Sequence, residues 1–218
     1  MSDQPTELVA LSAVEQALLE QFSTRAPSEQ RLGFDELGAH FALCDAPLHN
    51  INQPSGLATL RQFNPDLMVS IRFGKILRDQ AIACAHRGVI NLHSGLLPNY
   101  RGVMPTFWAM LAGETQLGMT LHWVPDATID TGPIIGTTSQ PCDLQASYVN
   151  NVWRLYDAGV DLMLKAISAI DKGMLRQELA PANTTGGCYF SFPDKSALAE
   201  FSQQGLQLHS PSDQCLAG

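Results

Sequence analysis

Asn91 and His93 stand two residues apart at the end of an apolar run, and Asp130 follows 37 residues later in a glycine-flanked turn. An amide, an imidazole and a carboxylate together suffice for acyl transfer. The amide and a protonated ring can hold an oxyanion, while the carboxylate orients the ring and handles protons. Side chains alternate along a strand, so positions 91 and 93 point the same way. Two polar groups aimed together from the mouth of a buried strand suit an active site better than a core. Taken singly, each has a plainer reading. A lone histidine is more often structural, an asparagine at a strand end more often a cap, and an aspartate before Thr-Gly-Pro a routine Asx turn. His122 could join His93 and Asp130 around a metal, but zinc would require a tighter ligand spacing, so no metal is expected.

The elements that must carry these residues become legible from position 64 onward. Asn64-Pro65-Asp66 leads into an apolar run at 67–71 that suits a buried parallel strand. A helix is expected over 76–86, stopped by Arg87-Gly88, and the next strand over 88–93. Residues 98–105 read as a loop, and Pro105 opens a short helix ending near Ala112-Gly113. Strands at 119–124 and 133–138 are joined by the turn at 126–132. The clearest helix spans about 147–172. Its apolar residues Val149, Val152, Trp153, Tyr156, Val160, Met163, Leu164, Ile167 and Ile170 keep a helical period, with Asp161 and Lys165 four apart on the exposed face. Earlier positions are sparser: a strand at 8–11, a Ser12–Glu15 capping box with Val14, Leu18, Leu19 and Phe22 behind it, a strand at 41–44 and a helix at 57–63. Trp108 and Phe107 read as core.

Strands alternating with helices indicate an α/β protein with a Rossmann-like, mostly parallel sheet flanked by helices, which binds ligands beyond the strands' carboxyl ends. Asn91 and His93 lie at such an end. The expected organisation is one α/β domain over 1–173, in which residues 1–63 form a divergent amino-terminal region, followed by a short appendage over 174–218. The chain has 218 residues, 13 of them Lys or Arg and none in a run, with a net charge of −8 and a pI near 5.1. That balance argues against nucleic acid as a partner, because phosphate neutralisation needs clustered basic residues. Five scattered cysteines form no Cys-x-x-Cys pair, so neither a zinc cage nor a redox dithiol is signalled. No basic leader with an apolar core and no apolar stretch of membrane-spanning length occurs. The expectation is a cytoplasmic protein without a membrane partner, with self-association as a homodimer left open.

Residues 65–139 resemble the catalytic domain of the formyltransferases that use 10-formyltetrahydrofolate, the family acting on glycinamide ribonucleotide, methionyl-tRNA and amino-sugar nucleotides. The segments that carry the resemblance are Pro65-Asp66-Leu67, residues 73–77, Asn91-Leu92-His93-Ser94-Gly95-Leu96-Leu97-Pro98, Tyr100-Arg101-Gly102, Pro105, Gly113-Glu114, residues 118–122 and Ile129-Asp130-Thr131-Gly132-Pro133, in matching order and spacing. The resemblance implies the formyltransferase fold, with 10-formyltetrahydrofolate as formyl donor. Asn91 and His93 would donate to the formyl oxygen as an amine attacks, and Asp130 would bind the imidazolium and take the amine's proton. Phe73, Gly74, Lys75 and Leu77 would hold the pterin through main-chain groups, with Asp126, Ala127, Thr128 and Ile129 as the opposite wall. Tyr100, Arg101 and Gly102 would contact the acceptor substrate.

Three departures narrow the acceptor. Gly95 stands where the family often has serine, a feature of the sugar-nucleotide branch. The first sixty residues hold only Gly33, Gly38 and Gly56, widely separated, so no glycine turn offers main-chain approach to a phosphate. That first unit is either rebuilt or lost. Finally, the roughly 45 residues after Gly173 cannot make the barrel of the methionyl-tRNA branch. The acceptor expected is therefore a primary amine on a small molecule, an amino-sugar nucleotide first among them. The alternatives are a folate-dependent deformylase, with water as acceptor, and a folate- or nucleotide-binding protein without turnover.

Overall fold

The structure is a computed structural model that describes residues 50–174, 186–211 and 213. The strand expected at 8–11, the helix behind Ser12 and the strand at 41–44 lie outside the described residues. In chain order the elements are α1 (Pro54–Phe63), β1 (Met68–Ile71), α2 (Asp79–Ile82), β2 (Val89–His93), β3 (Tyr100–Gly102), α3 (Pro105–Leu111), β4 (Gln116–Trp123), β5 (Ile134–Pro141), α4 (Tyr148–Asp171), β6 (Cys188–Phe190) and α5 (Lys195–Gln203).

Four strands form the principal sheet in the order β1-β2-β4-β5. β1 and β2 are parallel, whereas β2–β4 and β4–β5 are antiparallel. The α/β class and the helix-flanked sheet stand as expected, but among the described residues the sheet is mixed rather than mostly parallel. The reason is local. After β2 the chain stays at the carboxyl end of that strand through β3 and the two turns of α3 and enters β4 from the same end, so the two neighbouring strands run antiparallel.

α4 lies across this sheet. Ser147 caps it by accepting from the Asn150 N–H. Its buried face is Tyr148, Asn151, Val152, Leu155, Gly159, Met163, Ala166 and Ile170. That stripe is rotated from the one the apolar periodicity suggests, since Trp153 and Leu164 are both 56% exposed. Small residues explain the rotation. Any side chain on Gly159 would run into the Met119 sulfur and press on Leu92, so the helix approaches the sheet along its small residues rather than its largest. The main core joins Ile90 and Leu92 of β2 with Met119 and Leu121 of β4, Val152 and Leu155 of α4, and Phe107 and Phe201 of α3 and α5. A second cluster, Leu57, Leu60, Ala81, Ala85 and Val89, packs α1 and α2 onto the sheet.

Two further expectations are corrected. The helix at 76–86 shrinks to the single turn of α2. The Asn52 side chain accepts from the Arg78 N–H at 2.9 Å and donates to the Ile76 carbonyl at 2.8 Å, which holds 76–78 extended and delays the helix until after Arg78. The loop at 98–105 contains β3, which pairs in parallel with β6 from the carboxyl-terminal segment, Gly102 opposite Phe190. No helix among the described residues is long and apolar enough to cross a membrane.

Candidate active site

The ends of β1, β2 and β4 open into a cavity of about 1110 Å³. Antiparallel pairing sets Asn91 opposite His122 and His93 opposite Thr120. A bulge between Leu121 and His122, where β4 slips against β5, bends the strand at that point, as bulges beside functional sites do. Beyond β2, the Thr120 hydroxyl donates to the Gly95 carbonyl at 2.7 Å and accepts from the Leu97 N–H at 3.1 Å, tying down the turn that follows His93. Gly95 has no room for a side chain. A Cβ there would stand 2.5 Å from Pro105 and 3.0 Å from His93 Nε2.

Asp130 reaches the same place from the 126–132 turn. Its backbone is left-handed, with φ of 53°. The Gly102 N–H donates to its Oδ2 at 2.8 Å, His93 Nδ1 lies 3.5 Å from that oxygen, and His122 Nε2 lies 3.4 Å from Oδ1. The carboxylate is thus gripped by two imidazoles and one peptide. Each ring is oriented by its other nitrogen: His93 Nε2–H donates to the Tyr100 carbonyl at 2.7 Å, and His122 Nδ1–H to the Trp123 carbonyl at 2.9 Å. A carbonyl only accepts, so these bonds fix the tautomers. Each ring's remaining nitrogen faces the carboxylate. Asn91 Nδ2 donates to His122 Nε2 at 3.1 Å, which orients the amide.

Electrostatics leave this cluster ready to receive a proton. Burial lowers His93 below the ordinary imidazole value of 6.5, against the opposing pull of Asp130 and the Tyr100 carbonyl. For Asp130, burial pushes upward. The adjacent His122 ring, the charge His93 carries when protonated and the Gly102 N–H outweigh that push and hold it below 3.8. At neutral pH the resting site therefore presents a carboxylate and a neutral His93, with an uncapped Nδ1 between them.

Asn91, His93 and Asp130 are brought together on one wall of the cavity, but His93 is engaged differently from the expectation. Its Nε2–H is committed to Tyr100, so within this arrangement Asn91 is the amide donor left facing the cavity. On the expected donor wall, Phe73, Gly74, Lys75 and Leu77 all line the cavity, and so do Asp126, Thr128 and Ile129 opposite; Ala127 does not. Thr128 is held by an Asx turn, its N–H donating to Asp126 Oδ1 at 2.8 Å. Of the three expected acceptor contacts, Gly102 alone lines the cavity. The Tyr100 side chain is buried, its hydroxyl donating to Glu114 at 2.7 Å and its ring stacked on Phe190. Tyr100 is a correction: it supports the site through its carbonyl because its ring belongs to the core. Arg101 also lies off the cavity wall. Phe107 and Trp108 pack inside, as expected, stacked on Phe201 and Phe190.

The resemblance sets His122 near the site without making it the main catalyst, and sequence reasoning misses Asn52, which holds residues 76–78. A signal for His122 exists. Thr120 and His122 repeat the two-residue spacing of His93 and Asn91 on the strand that pairs with it, so both polar pairs share a face.

Residues 49–167, more than half of the chain, match the family model described as formyl transferase. A methionyl-tRNA formyltransferase of Pelobacter propionicus is 30% identical over 163 residues, covering 74% of this chain and 50% of the relative. The chain spans half or less of the length of such curated relatives. Among solved structures, WlaRD, a sugar 3N-formyl transferase crystallised in the presence of dTDP and 5-N-formyl-THF, is 25% identical with a TM-score of 0.52, over 61% of this chain and 48% of that one. The formyltransferase PseJ of Anoxybacillus kamchatkensis shares the fold at 24% identity and a TM-score of 0.55, over 66% of this chain and 73% of that one.

Proposed function

Since this chain belongs to the formyl transferase family, we propose that its cavity binds 10-formyltetrahydrofolate and passes the formyl group to a primary amine. The observation that carries this reading is the meeting of Asn91, His93 and Asp130 on one wall of a cavity. At about 1110 Å³ the space lies at the upper end of ligand pockets, roughly 300–1,000 Å³, which leaves room for a large donor beside its acceptor.

The chemistry follows from the proton inventory. The amine nitrogen attacks the formyl carbon, and the carbonyl π pair moves onto oxygen. Asn91 donates to that oxyanion through the amide hydrogen not used on His122. The new ammonium then loses a proton to the gap between Asp130 Oδ2 and His93 Nδ1. A proton there turns two facing lone pairs into a hydrogen bond, and the resulting imidazolium favours the oxyanion by its charge. Collapse expels the folate nitrogen, which takes the proton back as it leaves. Residues 73–77 and Asp126, Thr128 and Ile129 all line the cavity, and on this reading they take the flat pterin.

The acceptor we favour is a small molecule, an amino-sugar nucleotide first. The net charge of −8 supports this, and so does the similarity to a sugar 3N-formyl transferase. Methionyl-tRNA is the second reading, favoured by the curated relatives. Transfer of a labelled formyl group from 10-formyltetrahydrofolate, run with amino-sugar nucleotides, with methionyl-tRNA and with no amine, separates the possibilities. Labelled sugar amide is the expected product. Labelled methionyl-tRNA alone would replace the acceptor, and formate released without any amine would make water the acceptor. No label transfer and no donor binding would end the reading.

A further inference from the structure

Arg72 immediately follows β1 with φ of 50°, a left-handed conformation that an L side chain enters only at a cost. Five described non-glycine residues have positive φ. Two are Asn50 and Asn64, a residue type that tolerates it; the other three, Arg72, Met104 and Asp130, all line the cavity. Strain concentrated at one cavity points to function there, and Asp130 already has a place in the proposed chemistry.

Position and charge say what Arg72 could do. The parallel register sets Ser70 beside Asn91 and Ile71 beside Leu92, so Arg72 leaves β1 one strand away from His93. Neighbouring strands are about 4.8 Å apart, well within the length of an arginine side chain. Its guanidinium lies by the Tyr156 hydroxyl, and its charge also acts on Tyr148, both on α4. Burial pushes both phenols upward, Tyr148 to about 12, so neither neutralises it. Among the described residues no carboxylate pairs with Arg72. The surrounding field is unfriendly to anions: the chain carries −8 overall, and Asp126, Asp130 and Asp213 line the same cavity. An anionic ligand entering here needs a fixed cation. Lys75 also lines the cavity, and Arg72 is the cation that directly follows the β1 end, one strand from His93.

We propose that Arg72 anchors an anionic group, a phosphate or carboxylate, carried by the acceptor molecule. This deepens the formyl-transfer reading and rests on it. A guanidinium is permanently charged and offers a planar fork that matches such oxyanions. It would do with one side chain what a glycine-rich turn does with main-chain N–H groups, and no such turn is visible in the first sixty residues. The other source of the same chemistry is the carboxylate tail of the folate donor.

Calorimetric titration of the full chain separates the two sources, with inorganic pyrophosphate and 5-formyltetrahydrofolate as independent probes. Arg72→Gly is the informative variant, because glycine accepts the observed φ and folding should be retained or improved. Loss of the charged contact is expected to weaken pyrophosphate by at least about tenfold, with 5-formyltetrahydrofolate changed by less than about twofold and Arg72→Lys intermediate. Pyrophosphate binding that is absent in wild type, or unmoved by Arg72→Gly, would overturn the proposal. A tenfold loss confined to 5-formyltetrahydrofolate would also overturn it, placing the donor's tail at Arg72. Because the titrations need no turnover, failure of formyl transfer with every amine would be seen separately.

Discussion

Asp130 is the residue on which the others converge, and its surroundings set a pH dependence that can be measured without substrate. His93 is lowered from 6.5 by burial, so the unfolded chain binds that proton more tightly than the folded one. Its contribution to stability is fully present above about pH 6.5 and is lost as pH falls through the lowered folded value. Asp130, also lowered, adds a loss in the same direction below 3.8. Urea unfolding midpoints are therefore expected to fall between pH 7.5 and 5.5, and His93→Gln should flatten that fall. An unchanged slope would mean that the ring is not buried as described. The triad itself is legible in the sequence because alternation along one strand fixes the face of Asn91 and His93. Two features are hidden there: the engagement of His93 by the Tyr100 carbonyl, and the hold of His122 on Asn91. Both depend on the pairing of β2 with β4 and on a bulge, which no local pattern announces.

At the scale of elements, the feature that matters is the short sheet of β3 and β6. The residue that holds Asp130 by its N–H, Gly102, is itself fixed by Phe190, whose carbonyl accepts from Val103 at 2.8 Å and whose ring stacks on Tyr100 and Trp108. The carboxyl-terminal segment thus steadies the Asp130 carboxylate. Gly102 has φ of 97°, and a Cβ there would strike the Phe190 carbonyl. Gly102→Ala is expected to lower stability by about 1–3 kcal/mol in urea unfolding. It should also slow transfer by about a hundredfold, through displacement of Asp130 by as little as ~1 Å. Wild-type stability and rate in this variant would show that β6 is mere cladding. From sequence the 98–105 stretch reads as a loop, because a three-residue strand has no periodicity to detect and its partner lies more than eighty positions away. The long helix is legible in extent but not in its buried face, because close approach at Gly159 outranks apolar size.

The molecule as a whole joins a mixed sheet, covered on one side by α4, to a cavity whose lining comes from both the 70–130 region and the carboxyl-terminal segment, including Tyr189, Phe192 and Asp213. The net charge of −8 and a cavity guanidinium that no described carboxylate neutralises favour the proposed small anionic amine over a polynucleotide. In the proposed mechanism Asn91 stabilises the oxyanion while Asp130, with His93, takes the amine's proton. Single-turnover transfer of the formyl group from 10-formyltetrahydrofolate tests it most directly, comparing wild type with Asn91→Ala and Asp130→Asn at saturating donor. Asn91→Ala should slow the step by about a hundred- to thousandfold. Asp130→Asn should slow it by about a hundred- to ten-thousandfold. In both variants donor affinity should stay close to wild type. Single-turnover rates within a few fold of wild type in both would contradict the assignment.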